Sequence, residues 1–272
     1  MLAAIISLSS SCANVFDSLA DKTTDDAILE SARLHLASGD WTNAISDFAK
    51  LSSTALADPD VVTDYASAYA GRCGLDFLTL ATVIQNYQNA PATQPNFLQL
   101  IMRMISASTA AQYNDCISAE TKLKTIATAG VVSTQKGRYL MAFSSLAKIG
   151  AILNFRADAD KDGNVDASWD PCDASNGDTY LPQAEVAEIM TGLVLFYQNL
   201  KNESYASAIV SPIGTICTSI NGQPYDFCAQ TTTAGSTQPR RQLIRGIVRE
   251  TDLGIGLKIK AGGDPVTDMC GS

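Results

Sequence analysis

The sequence has few of the residues that enzymes most often use for proton transfer. A single histidine, His35, occurs among 272 residues, and it falls inside a predicted helix. No base is recognisable as a partner for any of the serines, so an activated nucleophile is not predicted. Glu185 and Glu188 are typical of acids at a helix start, although a glycosidase-like carboxylate pair stays open as an alternative. We therefore expect that the protein is not an enzyme.

Basic residues and long apolar runs are also scarce. The chain carries 19 Lys and Arg residues against 28 Asp and Glu residues, a net charge of −9, which argues against nucleic acid and anionic membranes as general partners. The most apolar stretch, residues 139–155, is interrupted by four polar residues: Ser144, Ser145, Lys148 and Asn154. It therefore predicts a buried helix rather than a membrane span.

Strand patterns are absent as well, and the chain is expected to be all-α. With 46% apolar residues it is long enough to bury a sizeable core. Helical spacing of apolar residues predicts helices over 25–38, 41–55, 96–111, 114–129, 134–156, 182–202 and 239–251. We expect two helical regions, 13–90 and 91–272, to pack as one body. Residues 220–238 are expected to be exposed and mobile.

An oxygen-rich segment lies between two of the long predicted helices. Carboxylates occupy the first, third, fifth and ninth positions of this segment: Asp158, Asp160, Asp162 and Asp166. Gly163 stands at the sixth position, where a sharp turn is needed, and the carbonyl of Asn164 stands at the seventh. Four carboxylates so close together repel one another unless a cation lies among them. The segment therefore predicts a Ca²⁺ site, with a solvated acidic turn as the alternative.

This spacing resembles the calcium loops of EF-hand, dockerin and thrombospondin type 3 modules. The resemblance implies a structural cation that fixes the long connection 157–181. At the twelfth position, where the EF-hand has a bidentate Glu, this chain has Trp169. Asp170 or Asp173 would have to supply the missing oxygens.

The start of the chain has the pattern of an export signal. A short apolar run, residues 2–8, leads into small residues and then Cys12. This pattern resembles the lipobox of bacterial lipoproteins, which implies that residues 1–12 are a signal remnant ending at a lipidated Cys12. It also implies an outer-membrane lipoprotein facing the periplasm or the exterior. The alternative is an ordinary helix start with a buried cysteine.

Six of the seven cysteines remain after Cys12, and none of them forms a CxxC pair. Zinc binding and thioredoxin-like chemistry are therefore not predicted. In an exported protein an even set predicts disulfides. The short loop between Cys217 and Cys228 favours that pair. Cys73 could then pair with Cys116 across neighbouring helices, and Cys172 with Cys270, with other connectivities left open.

The first helical region contains a motif that resembles the second half of a tetratricopeptide repeat. Its characteristic residues are Gly39, Trp41, Ala44, Phe48 and Pro59, with a weaker copy at Tyr65, Tyr69 and Gly74. The 35-residue step from Gly39 to Gly74 is close to the period of about 34 residues. The alternative is any antiparallel helix pair with a Gly between its helices.

The repeat resemblance implies antiparallel helix pairs that continue into a helical array with a concave binding face. Trp41, Phe48, Tyr65 and Tyr69 would fill the core between the helices. Polar residues of the first helix of each pair would then contact a partner, and the candidates are Glu30, Arg33 and Ser67.

The expected function is a lipid-anchored envelope binding or assembly protein with a structural Ca²⁺ site and an envelope protein or peptide as partner. The alternative is a periplasmic small-ligand-binding accessory of the type associated with tripartite (TRAP) transporters, and the third choice is an envelope hydrolase. A sizeable enclosed apolar pocket would favour a small ligand. An open polar groove with exposed aromatic residues would favour a protein partner.

Overall fold

Helices make up most of the part of the chain that the structure describes. The computed structural model describes residues 23–89, 96–105, 108–173, 177–250, 253–255 and 270. In these residues eleven α-helices run in the order α1 (Asp25–Ala37), α2 (Trp41–Phe48), α3 (Pro59–Arg72), α4 (Phe77–Asn89), α5 (Phe97–Met104), α6 (Ala110–Lys124), α7 (Gln135–Ala157), α8 (Gly177–Tyr180), α9 (Gln183–Leu200), α10 (Ser207–Ser219) and α11 (Gln238–Arg249). The predicted all-α class is confirmed. Cys12 and the signal remnant 1–12 lie outside the described residues.

Short pieces of other structure connect the helices. Single turns of 3₁₀-helix occur at Ala55–Ala57, Ser204–Ala206 and Thr233–Gly235. A two-stranded antiparallel ribbon joins β1 (Ala127–Thr128) to β2 (Val131–Val132), with Ala127 opposite Val132. Its turn places Ala129 and Gly130 in the left-handed region of the backbone.

Helices α1, α2 and α3 form a small core of their own. Asp40 caps α2 by accepting a hydrogen bond from the Asn43 backbone N–H, and Gly39 adopts the left-handed conformation (φ +76°) that ends α1. The core between these helices contains Ala32, Ala44, Phe48, Leu51, Val61, Tyr65 and Ala68. The Phe48 and Tyr65 rings stack with centroids 5.2 Å apart, so the predicted interhelix role of these aromatic residues is confirmed.

The larger core surrounds α7, which packs against α9, α6, α5 and α3. Small residues permit this close packing. A Cβ atom on Gly150 would lie 2.6 Å from the Ile101 carbonyl oxygen, and one on Gly192 would lie 2.9 Å from the Ile149 side chain. The buried helix predicted from the apolar stretch 139–155 is thus confirmed. None of the helices in the described ranges combines the length and apolarity of a membrane span.

Three disulfides connect these elements, and their pairing is the one that the sequence favours. Cys73 at the end of α3 is joined to Cys116 on α6, with their Cα atoms 5.3 Å apart. Cys217 on α10 is joined to Cys228 in the loop that follows. Cys172, beyond the acidic loop, is joined to Cys270 near the C-terminus.

Several predictions about individual segments were wrong. The helix predicted over 96–111 ends at Met104, and the one predicted over 114–129 runs over Ala110–Lys124, with strand β1 after it. The helix predicted over 41–55 ends at Phe48, because Ser52 directs its backbone N–H and hydroxyl to the Asp25 carboxylate instead of continuing the helix. The segment 220–238 is only partly exposed, since the Phe227 side chain is fully buried and Cys228 is covalently held. Helix α10 was not predicted at all, and Pro212 lies inside it.

Candidate metal centre

The acidic loop begins where α7 ends. Asp158 is the C-terminal cap residue of α7 and its side chain is fully buried. Two residues of the loop adopt left-handed backbone conformations, Lys161 (φ +62°) and Gly163 (φ +83°). Gly163 therefore makes the sharp turn that the sequence pattern predicts for the sixth position. Short-range hydrogen bonds from the Asp162 backbone to Asp160, and from the Asn164 backbone to Asp162, complete the turn.

Three of the predicted carboxylates converge. One oxygen each from Asp158, Asp160 and Asp162 lies within 4.8 Å of the others, a spacing that suits a single shared cation. The Asp158 Oδ2 atom accepts hydrogen bonds from the Gly163 N–H (3.1 Å) and the Asn154 side-chain amide (3.0 Å). Its other oxygen, Oδ1, is buried and has no hydrogen-bond partner among the residues that the structure describes.

The buried, unpartnered oxygen is the strongest sign that the loop fits a cation. A buried carboxylate oxygen normally has a partner, because leaving it without one costs about 1–3 kcal/mol or more. Burial raises the pKa of Asp158, because removal from water disfavours the ionised carboxylate. A bound cation would offset that effect and supply the missing partner. Carboxylate and carbonyl oxygens are the ligands of hard cations such as Ca²⁺.

Asp166 and Asn164 are placed differently from the three converging residues. The Asp166 Oδ2 atom accepts a hydrogen bond from the Ala159 backbone N–H at 3.0 Å, so Asp166 closes the loop rather than joining the cluster. The Asn164 side chain is held by Asp162 and by Arg103, which donates to Asn164 Oδ1 at 2.8 Å. Coordination through the Asn164 carbonyl, and direct coordination through Asp166, stay predictions.

The sequence did not reveal Arg103, which comes from α5. Its guanidinium donates to the Gly163 carbonyl at 2.6 Å as well as to Asn164. Its positive charge contributes to lowering the pKa of Asp162, after the larger effect of the Asn164 hydrogen bonds. A contact across 60 positions of sequence leaves no local signal, and so only the folded chain could reveal it.

The twelfth position has a structural role. The Trp169 side chain is 3% exposed, and its indole N–H donates to the Tyr180 carbonyl oxygen at 3.1 Å. Asp170, one of the two residues considered as a replacement ligand, lies 3.0 Å from Arg249 and accepts from the Cys172 backbone N–H. The loop therefore offers a three-carboxylate site without the bidentate Glu of an EF-hand.

The candidate partner-binding residues lie on α1 and α3. Arg33, 44% exposed, is 2.9 Å from the Asp64 carboxylate, which also lies 2.7 Å from Lys136. The Ser67 hydroxyl donates to the Thr63 carbonyl oxygen, and Glu30 is exposed. Arg33 and Glu30 are accessible to a partner, whereas Ser67 is half-buried. Their role in binding stays a prediction.

The residues weighed as catalytic are all held by neighbours. His35 is a partly exposed helix residue, with Nδ1 3.3 Å from the Asp40 carboxylate. Glu185 accepts hydrogen bonds from Nε and Nη2 of Arg156, at 2.7 and 2.6 Å, and from the Tyr113 hydroxyl. Burial, and then the Glu185 charge, raise the pKa of Tyr113. Glu188 is 2.8 Å from the Lys148 ammonium.

Lys148 belongs to a buried polar network that the sequence did not reveal. Its side chain is fully buried on α7 and its Nζ atom donates to Glu120, Glu188 and the Thr191 hydroxyl. The only sequence signal was one charged residue inside an apolar stretch. The network joins α6, α7 and α9.

The structure is that of an all-α protein with three disulfides and an acidic loop that could hold a cation. Family models, curated proteins and solved structures were compared with the chain, and none of the three comparisons found a match. The resemblances to tetratricopeptide repeats and to calcium loops rest on the motif residues themselves.

Proposed function

We propose that the protein is a calcium-stabilised binding or assembly protein of the bacterial envelope, anchored by a lipid at Cys12. The observation that carries the calcium part is the buried Asp158 oxygen, which has no hydrogen-bond partner in the described part of the chain and lies beside the Asp160 and Asp162 carboxylates. A Ca²⁺ ion there offsets the repulsion among three like charges and secures the segment that links α7 to α9. Its role is structural.

The binding part of the proposal rests on the α1–α3 region. A small separate core supports a surface on which Arg33 and Glu30 are accessible, while Phe48 and Tyr65 are buried as scaffold. An envelope protein or peptide that presents both charges to Arg33 and Glu30 is the expected partner. The net charge of −9 disfavours nucleic acid.

The rival function, transport of an apolar small ligand, has less support. Such a ligand needs a pocket of roughly 300 Å³ or more that is lined mainly by apolar side chains. The apolar pocket between α4 and α5, lined by Leu75, Leu80, Ile101 and Ile105 among others, holds only about 20 Å³. It has room for about one water molecule.

Thermal unfolding in the presence of Ca²⁺ tests the calcium site. Without a bidentate Glu the affinity should resemble that of extracellular modules, with Kd about 10⁻⁴–10⁻³ M. At about ten times Kd, Ca²⁺ would stabilise the fold by about 1.4 kcal/mol, a rise in Tm of about 2–4 °C. Asp160→Ala should abolish this rise.

Asp26→Ala is the matched control, because Asp26 is an exposed aspartate on α1 far from the loop in sequence. This variant should keep the full response to Ca²⁺. Equal responses in wild type and Asp160→Ala would show that the loop is only an acidic turn. Failure of this test would leave the partner surface on α1–α3 untouched, and cross-linking from native envelopes with the Arg33→Ala variant tests that surface separately.

A further inference from the structure

Two depressions lie side by side where α6, α9 and α11 meet. The first, of about 490 Å³, runs between α6 and the start of α9. The second, of about 390 Å³, runs between the start of α9 and α11. Gln183 and Arg241 line both, so the two depressions are neighbours, and together they are called the groove here. Each part is within the size range of small-ligand sites.

Two arginines at the start of α11 fix the segment around Thr233–Gly235, which forms one wall of this groove. Arg241 donates to the Ser236 carbonyl oxygen, and Arg240 donates to the carbonyl oxygens of Asp226 and Gly235. These bonds fix the segment around the 3₁₀ turn Thr233–Gly235, whose Thr233 lines the groove. The groove is therefore built from positioned backbone, which a binding site requires.

The fixed charges on the groove walls are largely neutralised from within the protein. Glu185 is paired with Arg156, Glu188 with Lys148, and Asp178 with Arg245. Two further charged side chains line the groove, Arg241 and Asp173, and they are of opposite sign, so the walls together carry little net charge. A ligand of this groove does not need a charge of its own.

The polar groups that remain available are mostly side-chain amides. Asn114, Gln238 and Gln242 line the groove, and within the described part of the chain their amides make no hydrogen bond. The Gln183 amide uses its N–H group on Asp178, which leaves its oxygen as an acceptor. An amide presents a donor and an acceptor together, as a sugar hydroxyl does. Few apolar groups line the part next to α11, so apolar anchors of a peptide would find no pocket there.

We propose that this groove binds a neutral oligosaccharide. The hydroxyl groups of successive sugar rings would exchange hydrogen bonds with Asn114 at one end and with Gln183 and Gln242 further along. The half-buried Tyr113 ring offers a surface for one sugar face. This site is separate from the partner surface on α1–α3 and goes beyond the function proposed above.

The groove binds the saccharide without hydrolysing it. A glycosidase needs one carboxyl group that is protonated to donate to the leaving oxygen. Both oxygens of Glu185 already accept hydrogen bonds from Arg156, and Glu188 lies 2.8 Å from the Lys148 ammonium. Neither is placed to act as the acid.

Calorimetric titration with three neutral probes tests the proposal: cello-, malto- and N-acetylchito-oligosaccharides. At least one should bind the wild-type protein. The double variant Asn114→Ala/Gln242→Ala should bind it about tenfold more weakly, as expected when hydrogen-bond partners are lost. Gln223→Ala, which removes an exposed amide outside the groove, is the matched control and should bind normally.

Unchanged Tm in the double variant shows that weaker binding reflects lost contacts rather than a damaged fold. The proposal is overturned if none of the three probes binds or if the double variant binds as tightly as the wild type. Tighter binding of an acidic oligogalacturonide, or displacement of the neutral sugar by tetra-alanine, would also overturn it. The calcium response of Tm should be the same in all these variants, so failure here is distinguishable from failure of the calcium site.

Discussion

Lys148 stands out because a fully buried ammonium is costly unless it is compensated. Two carboxylates and a hydroxyl surround it, and Glu120, on α6, is itself 1% exposed. Removing one partner of such a cluster leaves an uncompensated charge in the core. The cluster therefore specifies how α6, α7 and α9 meet.

Replacing this lysine should be among the most damaging single changes. Lys148→Met is expected to lower the free energy of unfolding by about 3 kcal/mol, because the buried Glu120 carboxylate then keeps only the more distant Lys124, at 3.6 Å. Denaturant unfolding measures this. Adding Glu120→Gln to the variant should recover part of the loss, and Lys50→Met, at an exposed ion pair, should change stability by about 1 kcal/mol or less. A small effect of Lys148→Met would mean that the cluster is not charged as described.

Substitutions of Trp41 and Arg33 distinguish a residue that supports the fold from a residue of the partner surface. The Trp41 ring packs on Gly71, where an added Cβ atom would come within 2.7 Å of it. Because Trp41 is partly exposed, Trp41→Ala should cost about 3 kcal/mol, the low end for a large aromatic truncation. Arg33→Ala should cost about 1 kcal/mol or less and weaken partner capture.

Capture from cross-linked envelopes, with unfolding measured in parallel, distinguishes the two roles. A Trp41→Ala protein of normal stability that lost its partner would reverse the assignment. The aromatic cluster would then be the site, and the resemblance to a repeat would be misleading.

The sequence predicted the turn of the loop and its three converging carboxylates because these features are local. Asp158, Asp160, Asp162 and Gly163 are joined by a turn that short-range hydrogen bonds define, and spacing alone reveals such a turn. Arg103 and Lys148 could not be assigned a role in the same way. Their partners are distant in sequence, in the acidic loop for Arg103 and on α6 and α9 for Lys148, and a contact of this kind depends on packing that no local pattern encodes.

Among the helices, α10 is one that the sequence pattern did not predict. Pro212 lies in its interior, where the missing N–H usually ends a helix. Ile209, Val210 and Ile213 are buried, so tertiary packing offsets that cost. The long helices α7 and α9 were predicted to within about two residues because their apolar period is sustained over many turns.

Two of the disulfides close chain loops of very different length and should therefore contribute differently to the free energy of unfolding. Cys73–Cys116 closes 43 residues, whereas Cys217–Cys228 closes 11. Loop-closure entropy then predicts that removing the first pair by double Cys→Ser substitution costs about 1 kcal/mol more than removing the second. Unfolding of the two double variants measures the difference. A larger loss from the shorter bridge would show that local packing, not chain entropy, determines its contribution.

For the molecule as a whole, the anchor is the prediction with the widest consequence. If Cys12 is the lipidated residue, the mature chain begins there and fractionates with the outer envelope. Mass spectrometry of the N-terminus from the native host should find Cys12 carrying acyl chains. An unmodified Cys12 in protein expressed from its natural start would exclude the anchor, and Cys12→Ser in that host should release the protein in soluble form.

None of the described disulfides joins the part of the chain before the acidic loop to the part after it. Cys73–Cys116 lies wholly before the acidic loop, and the other two bridges lie wholly after it. A protease that cut the loop at Asp160–Asp162 would therefore divide the molecule into two fragments, each retaining its own cross-links. Non-covalent contacts, chiefly the packing of α7 against α9, would keep the fragments together. Nicked protein should run as one species under native conditions and as two in detergent, with no reductant needed.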